Sequence, residues 1–238
     1  MNQLLGPIRN QLLLRLVAGD LALLGPLERV SLKLRQSLEV ANATNDFVYF
    51  MEDGVASVVS EVSDTYATEI GIIGREGMTG LGFVYGDHET PFETFMQIEG
   101  SALRCRASEL RKAMADSPPV RVLLLTYARA FSIQVGVTAV VNGRSKLEER
   151  LARWLLMVED RMGASFSITH EFMSVMLAVR RSGVTLAVQS LEGKGLLRAS
   201  RGAVHIVDRD GLIDAAARSY GLAEREYDRL LGAIPLQG

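Results

Sequence analysis

One cysteine stands in a chain of 238 residues. A single thiol excludes a disulfide within the chain and any four-cysteine zinc or iron–sulfur site. That residue, Cys105, reads as a small side chain within a strand, with a redox switch as the alternative. Histidine is scarce as well, with three copies. His88 lies in a polar loop between Asp87 and Glu89, and no second histidine stands near it to complete a metal site. Long apolar runs are also missing. Leu12-Leu13-Leu14 and Leu123-Leu124-Leu125 are short and flanked by arginine, so neither reads as a bilayer span. No basic stretch leads into an apolar run with a cleavage site, so a cytoplasmic location without a membrane partner is expected. Catalytic patterns are lacking too: no Ser-His-Asp order, no metal spacing, no phosphate loop at a strand–helix junction. Gly77-Met78-Thr79-Gly80-Leu81-Gly82 is glycine-rich, but turn chemistry explains it. The expectation is a non-enzyme without metal or cofactor.

The net charge of −2 conceals an asymmetry. Residues 1–116 hold 10 Lys/Arg against 16 Asp/Glu, whereas residues 162–207 hold 5 against 2. An acidic front half and a basic island behind it suggest a regulatory module joined to a nucleic-acid reader.

The island contains the most informative stretch, residues 168–197. Phe172, Val175, Met176 and Val179 mark one face of a short helix, and Val184, Val188 and Leu191 mark the next. Arg180-Arg181-Ser182-Gly183 places charge and small polar groups at the start of the second helix, where a helix-turn-helix meets the DNA major groove. Beyond it, Leu196-Leu197-Arg198 and Ala203–Val207 alternate as strands around Ser200-Arg201-Gly202. Two helices and a basic hairpin describe a winged helix. Thr169 is the expected cap of the first helix. His170 is expected to be exposed beside DNA, and His205 to face solvent.

The front half has a different grain. A helix or two end near Gly25-Pro26. Short runs follow at Val30–Leu34, Phe47–Met51, Val55–Val59, Ile70–Ile73, Phe95–Ile98 and Ala102–Arg106, separated by Glu52-Asp53-Gly54, Gly74–Gly77 and Tyr85-Gly86-Asp87. Asp53-Gly54 predicts a hairpin, since a primed turn needs positive φ. Such strands imply a small antiparallel roll. Helix then dominates from Ser108 to Arg161, broken at Asn142-Gly143. Val120, Leu124, Tyr127, Phe131, Gln134, Thr138 and Val141 recur at steps of four and three. This heptad pattern predicts a parallel dimer seam, with packing against the chain's own roll as the alternative. Leu147, Leu151, Trp154 and Leu155 suit packing under the winged helix, and residues beyond Asp208 add a short helical extension.

In this order, the parts resemble the Crp/Fnr family of bacterial transcription regulators over roughly Leu21 to Asp210. The family pattern is matched without gaps by Ile168, Thr169, Arg181, Leu191 and Glu192, and Tyr49–Val55 is similar to its roll hairpin. The resemblance implies an α+β chain: an antiparallel β-roll of the cupin-like jelly-roll type with an amino-terminal helix (1–116), a dimerisation helix (117–143), and a winged helix-turn-helix with a helical extension (144–238). It implies a sequence-specific regulator that binds an inverted-repeat operator in double-stranded DNA as a homodimer. RNA polymerase and an unidentified small-molecule effector are further partners open to it. The alternative is a scaffolding or effector-binding protein whose winged helix contacts protein.

Two departures limit the resemblance. Cyclic-nucleotide-binding members carry Gly-Glu for the ribose and Arg-Ser or Arg-Thr for the phosphate. Here Gly80 is followed by Leu81, the Arg position reads Pro91-Phe92-Glu93, and no Lys or Arg lies between Glu76 and Leu103. A phosphate monoanion needs a cation or a cluster of backbone donors. The pocket around Gly80, Leu81, Phe92 and Glu93 is therefore read as degenerate. In the second helix, Ser182 and Leu186 stand where one branch has Glu and a second Arg. Arg181 remains able to bond guanine at two points, with Ser182 and Thr185 beside it. Gln189, Thr169, Arg180 and Arg201 are the candidate phosphate contacts.

Overall fold

The structure is a computed structural model and describes residues 6–63 and 66–232. It divides into two compact units, the first of Met1–Val58, Ile73–Ser132 and Tyr227–Gly238, the second of Val59–Ile72 and Ile133–Glu226. A 3-10 turn at Leu13–Arg15 and α1 (Ala18–Leu23) lead into β1 (Glu28–Leu32), β2 (Ser37–Glu39), β3 (Phe47–Ser63) and β4 (Tyr66–Ile73). Then come α2 (Leu81–Val84), β5 (Phe92–Arg106), α3 (Ala107–Asp116) and the long α4 (Pro118–Arg144). The remainder is α5 (Leu147–Met162), β6 (Ser165–Ser167), α6 (His170–Met176), α7 (Arg181–Gly193), β7 (Leu197–Ser200), β8 (Ala203–Ile206), α8 (Arg209–Ala215) and α9 (Leu222–Leu231). An antiparallel amino-terminal sheet, long helices and a carboxy-terminal helix-turn-helix are thus all present.

The sheet runs β1-β5-β3-β4, with β2 also paired to β5. β1 lies antiparallel to β5 with Glu28 opposite Arg104, and that cross-strand pair is also an ion pair at 2.8 Å. Val48, Phe50, Met51, Met78, Met96 and Leu103 fill the interior. The amino-terminal segment is stitched on by polar groups. Asn10 donates to the carbonyls of Met51 (2.9 Å) and Gly77 (2.8 Å), while its Oδ1 accepts from Leu12 and Leu13 N–H and shapes the 3-10 turn. The buried Glu52 carboxylate accepts from the N–H groups of Arg9 and Asn10 and from the Arg29 guanidinium. At the far end of the chain, the Arg15 guanidinium donates to the Leu231 and Gly232 carbonyls, closing the carboxy-terminal end of α9.

The expected hairpin at Asp53-Gly54 is not there. β3 continues through it as one strand, and the runs Phe95–Ile98 and Ala102–Arg106 likewise fuse into β5. Gly54 does have positive φ, +79°, but for another reason. A Cβ there would lie 2.7 Å from the carbonyl oxygens of Ile98 and Glu99, and one on Gly100 would lie 2.2 Å from the Asp53 oxygen. The glycines permit close backbone approach between two long strands, not a reversal.

The heptad positions of α4 are also corrected. Val120, Leu124, Tyr127, Phe131, Thr138 and Val141 are buried inside the single chain, none more than 9% exposed, so they are not an open dimer seam. Tyr127 donates to the Met78 carbonyl at 3.1 Å and fills the space beside Gly77, where a Cβ would sit 2.2 Å from its hydroxyl. Gln134 accepts from Ile72 N–H at 2.7 Å and donates to the Ile72 carbonyl at 3.3 Å. Periodicity identifies a buried face but not what buries it. A different stripe faces outward. Val122, Leu125, Arg129, Ser132, Gly136, Ala139 and Gly143 are exposed, again at steps of three and four, and the helix runs unbroken through Asn142-Gly143. By length and composition alone α4 could cross a membrane, further than Leu123–Leu125 suggests; 44% of its most apolar stretch is buried, and Tyr127 ties it to the protein as a core helix.

In the second unit, α5 buries Leu151, Trp154, Leu155 and Val158, while Leu147 is half-buried. The three-stranded sheet β6-β8-β7 is antiparallel, with Ser165 opposite His205 and Leu197 opposite Ile206. Asp208 caps α8 by accepting from Gly211 N–H.

Candidate nucleic-acid interface

Thr169 starts α6 as an N-cap, its hydroxyl accepting from Phe172 N–H at 3.1 Å. Phe172, Met173 and Met176 bury one face, but Val175, placed on that face by sequence spacing, is 46% exposed. With only two turns of helix, an i, i+3 pattern does not define the face closely. The chain then turns over Leu177–Arg180, with Ala178 at φ +49°. Arg150 of α5 donates to the Leu177 carbonyl and, through Nε, to Asn142 Oδ1 at 3.2 Å. Burial lowers the Arg150 pKa from its ordinary value, and a guanidinium remains charged throughout the physiological range. A cation therefore holds the carbonyl end of α6, a contact to which sequence spacing gave no clue.

α7 buries Val184, Ala187, Val188 and Leu191. Gly183 lets it pack closely, since a Cβ there would lie 3.1 Å from Leu147 Cδ2. Arg180, Arg181, Ser182, Leu186 and Gln189 are exposed. Arg181 lies 3.9 Å from Glu171, with both side chains more than 60% exposed, a pair that water largely screens. Thr185 is half-buried, and its hydroxyl donates to the Arg181 carbonyl at 3.1 Å. His170 Nδ1 stands 3.0 Å from the Thr185 hydroxyl oxygen. The Thr185 hydroxyl bridges the Arg181 carbonyl and the His170 ring. His170 is thus half-buried and engaged, not a free exposed group.

The wing is tied to α7 by Glu192, which accepts from Ala199 N–H at 2.9 Å. Lys194 bonds Glu148 of α5, and that bond pulls the Glu148 carboxyl below its ordinary pKa. At the tip, Gly202 takes φ +77° and Arg201 is exposed; Arg198 on β7 is exposed as well. The proposed base and phosphate groups Arg180, Arg181, Ser182, Gln189, Thr169 and Arg201 all lie on exposed positions of these elements. Thr185 and the helix cap Thr169 have their hydroxyls engaged by the protein. His205 is exposed and bonds Ser165.

In the other unit, Gly80 is buried with φ +85°, Leu81 and Phe92 are half-buried, and Glu93 is exposed. A Cβ on Gly80 would lie 2.3 Å from Val48 Cγ1. Its N–H donates to Glu39 Oε1 at 3.0 Å, and Thr94 donates to Glu39 Oε2 at 2.7 Å. Burial raises the Glu39 pKa, opposed by these two bonds. Glu39 escaped sequence reading because its partners are 41 and 55 residues away; an acid amid Leu38 and Val40 was the only hint.

Residues 149–215 match the Crp-like helix-turn-helix domain. No curated protein matches the sequence. Among solved structures, a Crp/Fnr-family transcriptional regulator from Eubacterium rectale is similar, with 18% identity and a TM-score of 0.67 over 85% of this chain and 95% of that one. FixK2 from Bradyrhizobium japonicum is similar over 80% of this chain and 97% of its own, with 16% identity and a TM-score of 0.68. CLP of Xanthomonas campestris, described as a c-di-GMP-responsive global regulator, covers 80% and 99%, with 14% identity and a TM-score of 0.65. The class is that of helix-turn-helix proteins with an amino-terminal antiparallel sheet. Within it, the fold is similar to that of the Crp/Fnr regulators, and residues 149–215 match the Crp-like helix-turn-helix domain.

Proposed function

We infer that the chain is a transcription regulator that binds double-stranded DNA as a homodimer, with α7 in the major groove and the wing on the backbone. One observation carries this: Arg180, Ser182, Gln189 and Arg201 are exposed on α7, its cap and the wing, beside Arg181, while the apolar residues of the same helix are buried. Cationic and polar groups on a rigid helix suit phosphates and base edges together. The outward stripe Val122–Gly143 of α4 supports dimerisation, because Gly136 and Gly143 have open space where a Cβ would stand and so admit a second helix closely. In this reading the chain serves as a sensor-like roll to about residue 116, a dimerisation helix to about 143, and a DNA reader thereafter.

The roll is not a cyclic-nucleotide receptor in this proposal. Residues 77–102 hold no Lys or Arg, and the Gly80 N–H already serves Glu39. Selection of duplexes from a random pool, followed by a salt titration, tests the DNA reading. An enriched inverted repeat and steep salt dependence are expected; no enrichment would favour a protein partner for the winged helix.

A further inference from the structure

We propose that Leu186 reads the 5-methyl group of a thymine in the operator, a specificity contact that rests on the DNA-binding reading above. The outward face of α7 carries Arg181 and Ser182 at its start and Gln189 further along, with Leu186 between them. Leu186 is one helical turn beyond Ser182 and is 68% exposed. Its neighbour Thr185 is half-buried, and its hydroxyl is engaged by the protein, between the Arg181 carbonyl and His170 Nδ1. The centre of the face is therefore apolar, and its ends are polar.

A groove-inserted helix with that pattern selects a base pair with an apolar feature at the matching place. In the major groove that feature is the thymine methyl group; the other base edges present donors and acceptors. Leucine against a methyl removes apolar surface of both from water. Against a polar edge it would strip hydration and return no bond. A protein surface is the weaker match for this leucine, since Arg180, Arg181 and Arg201 surround the face with charge of the sign that phosphates attract.

The test uses the full-length protein, its selected duplex, and duplexes in which each thymine in turn is replaced by deoxyuridine, which removes only the methyl group. One thymine per half-site should be sensitive, losing about fourfold in affinity per methyl group returned to water. Leu186→Ala, an exposed change to a strong helix former, should bind more weakly and should no longer distinguish thymine from uracil there. Equal discrimination by Leu186→Ala and the unaltered protein would overturn the assignment, as would insensitivity to every replacement. A protein that binds no duplex at all would overturn the DNA reading itself, a result distinguishable from either.

Discussion

The Glu39 carboxylate takes the Gly80 N–H on one oxygen, at 3.0 Å, and the Thr94 hydroxyl on the other, at 2.7 Å. An internal acid thus occupies both donors. We predict that neither cyclic AMP nor cyclic GMP binds the roll with physiological strength. A lost bond to a charged group costs roughly 1.5–3 kcal/mol. Calorimetry returning a low-micromolar dissociation constant for either nucleotide would contradict this.

The same carboxylate sets a pH dependence. Its folded pKa lies above the ordinary value of 4.5, so between the two values the native state holds more protons than the unfolded chain. Stability contributed by Glu39 is therefore greatest below 4.5 and declines as pH rises through the folded value. Glu39→Gln keeps an acceptor for Gly80 and has no charge to desolvate. Its stability relative to the unaltered protein should rise from acidic to neutral pH, read from urea midpoints; a parallel pair of curves would refute the argument.

Ala178 holds φ +49° in the turn between α6 and α7. An L side chain is strained there and glycine is not. Ala178→Gly should stabilise the protein by about 1 kcal/mol without changing sequence preference. Chemical denaturation checks the first part and the selected duplex the second.

Two substitutions on opposite faces of α4 separate fold from assembly. Phe131→Asp places an unpaired charge in a buried site and should destabilise by roughly 3–5 kcal/mol, whatever the oligomeric state. Leu125→Asp, at an exposed position, should leave the fold intact by circular dichroism while shifting sedimentation from dimer to monomer. If the unaltered protein sediments as a monomer at micromolar concentration, the dimer is wrong.

Arg181 and Arg201 should divide recognition between them. Arg181→Ala is expected to cost roughly 1–3 kcal/mol on the selected duplex and to relax one position per half-site. Arg201→Ala should weaken selected and scrambled duplexes alike and flatten the salt slope by about one ion per subunit. Equal loss on both duplexes for Arg181→Ala would make it a phosphate contact.

The winged helix was legible because its determinants are local. Thr169 caps the helix three residues ahead of its donor partner, Phe172 N–H, and Val184, Val188 and Leu191 share a face by spacing alone. The roll was legible as alternating strands but not in its connections. Asp53-Gly54 signals positive φ, and two long strands pressed together demand that as surely as a hairpin does. The seam of α4 failed similarly, since burial against one's own chain and against a copy have the same period. Glu39, Glu52, Asn10 and Arg150 were invisible for a further reason. Each satisfies backbone groups that only the folded chain brings near.

Gln134 carries one more consequence. A carboxamide is a peptide group without a chain, and here it offers Ile72 the acceptor and donor that a neighbouring strand would. β4 stands last in the sheet, and a bare ladder end invites extended segments from other molecules. At Ile72 that invitation is already answered. The sheet terminates on a helix side chain, so growth by strand addition is blocked there.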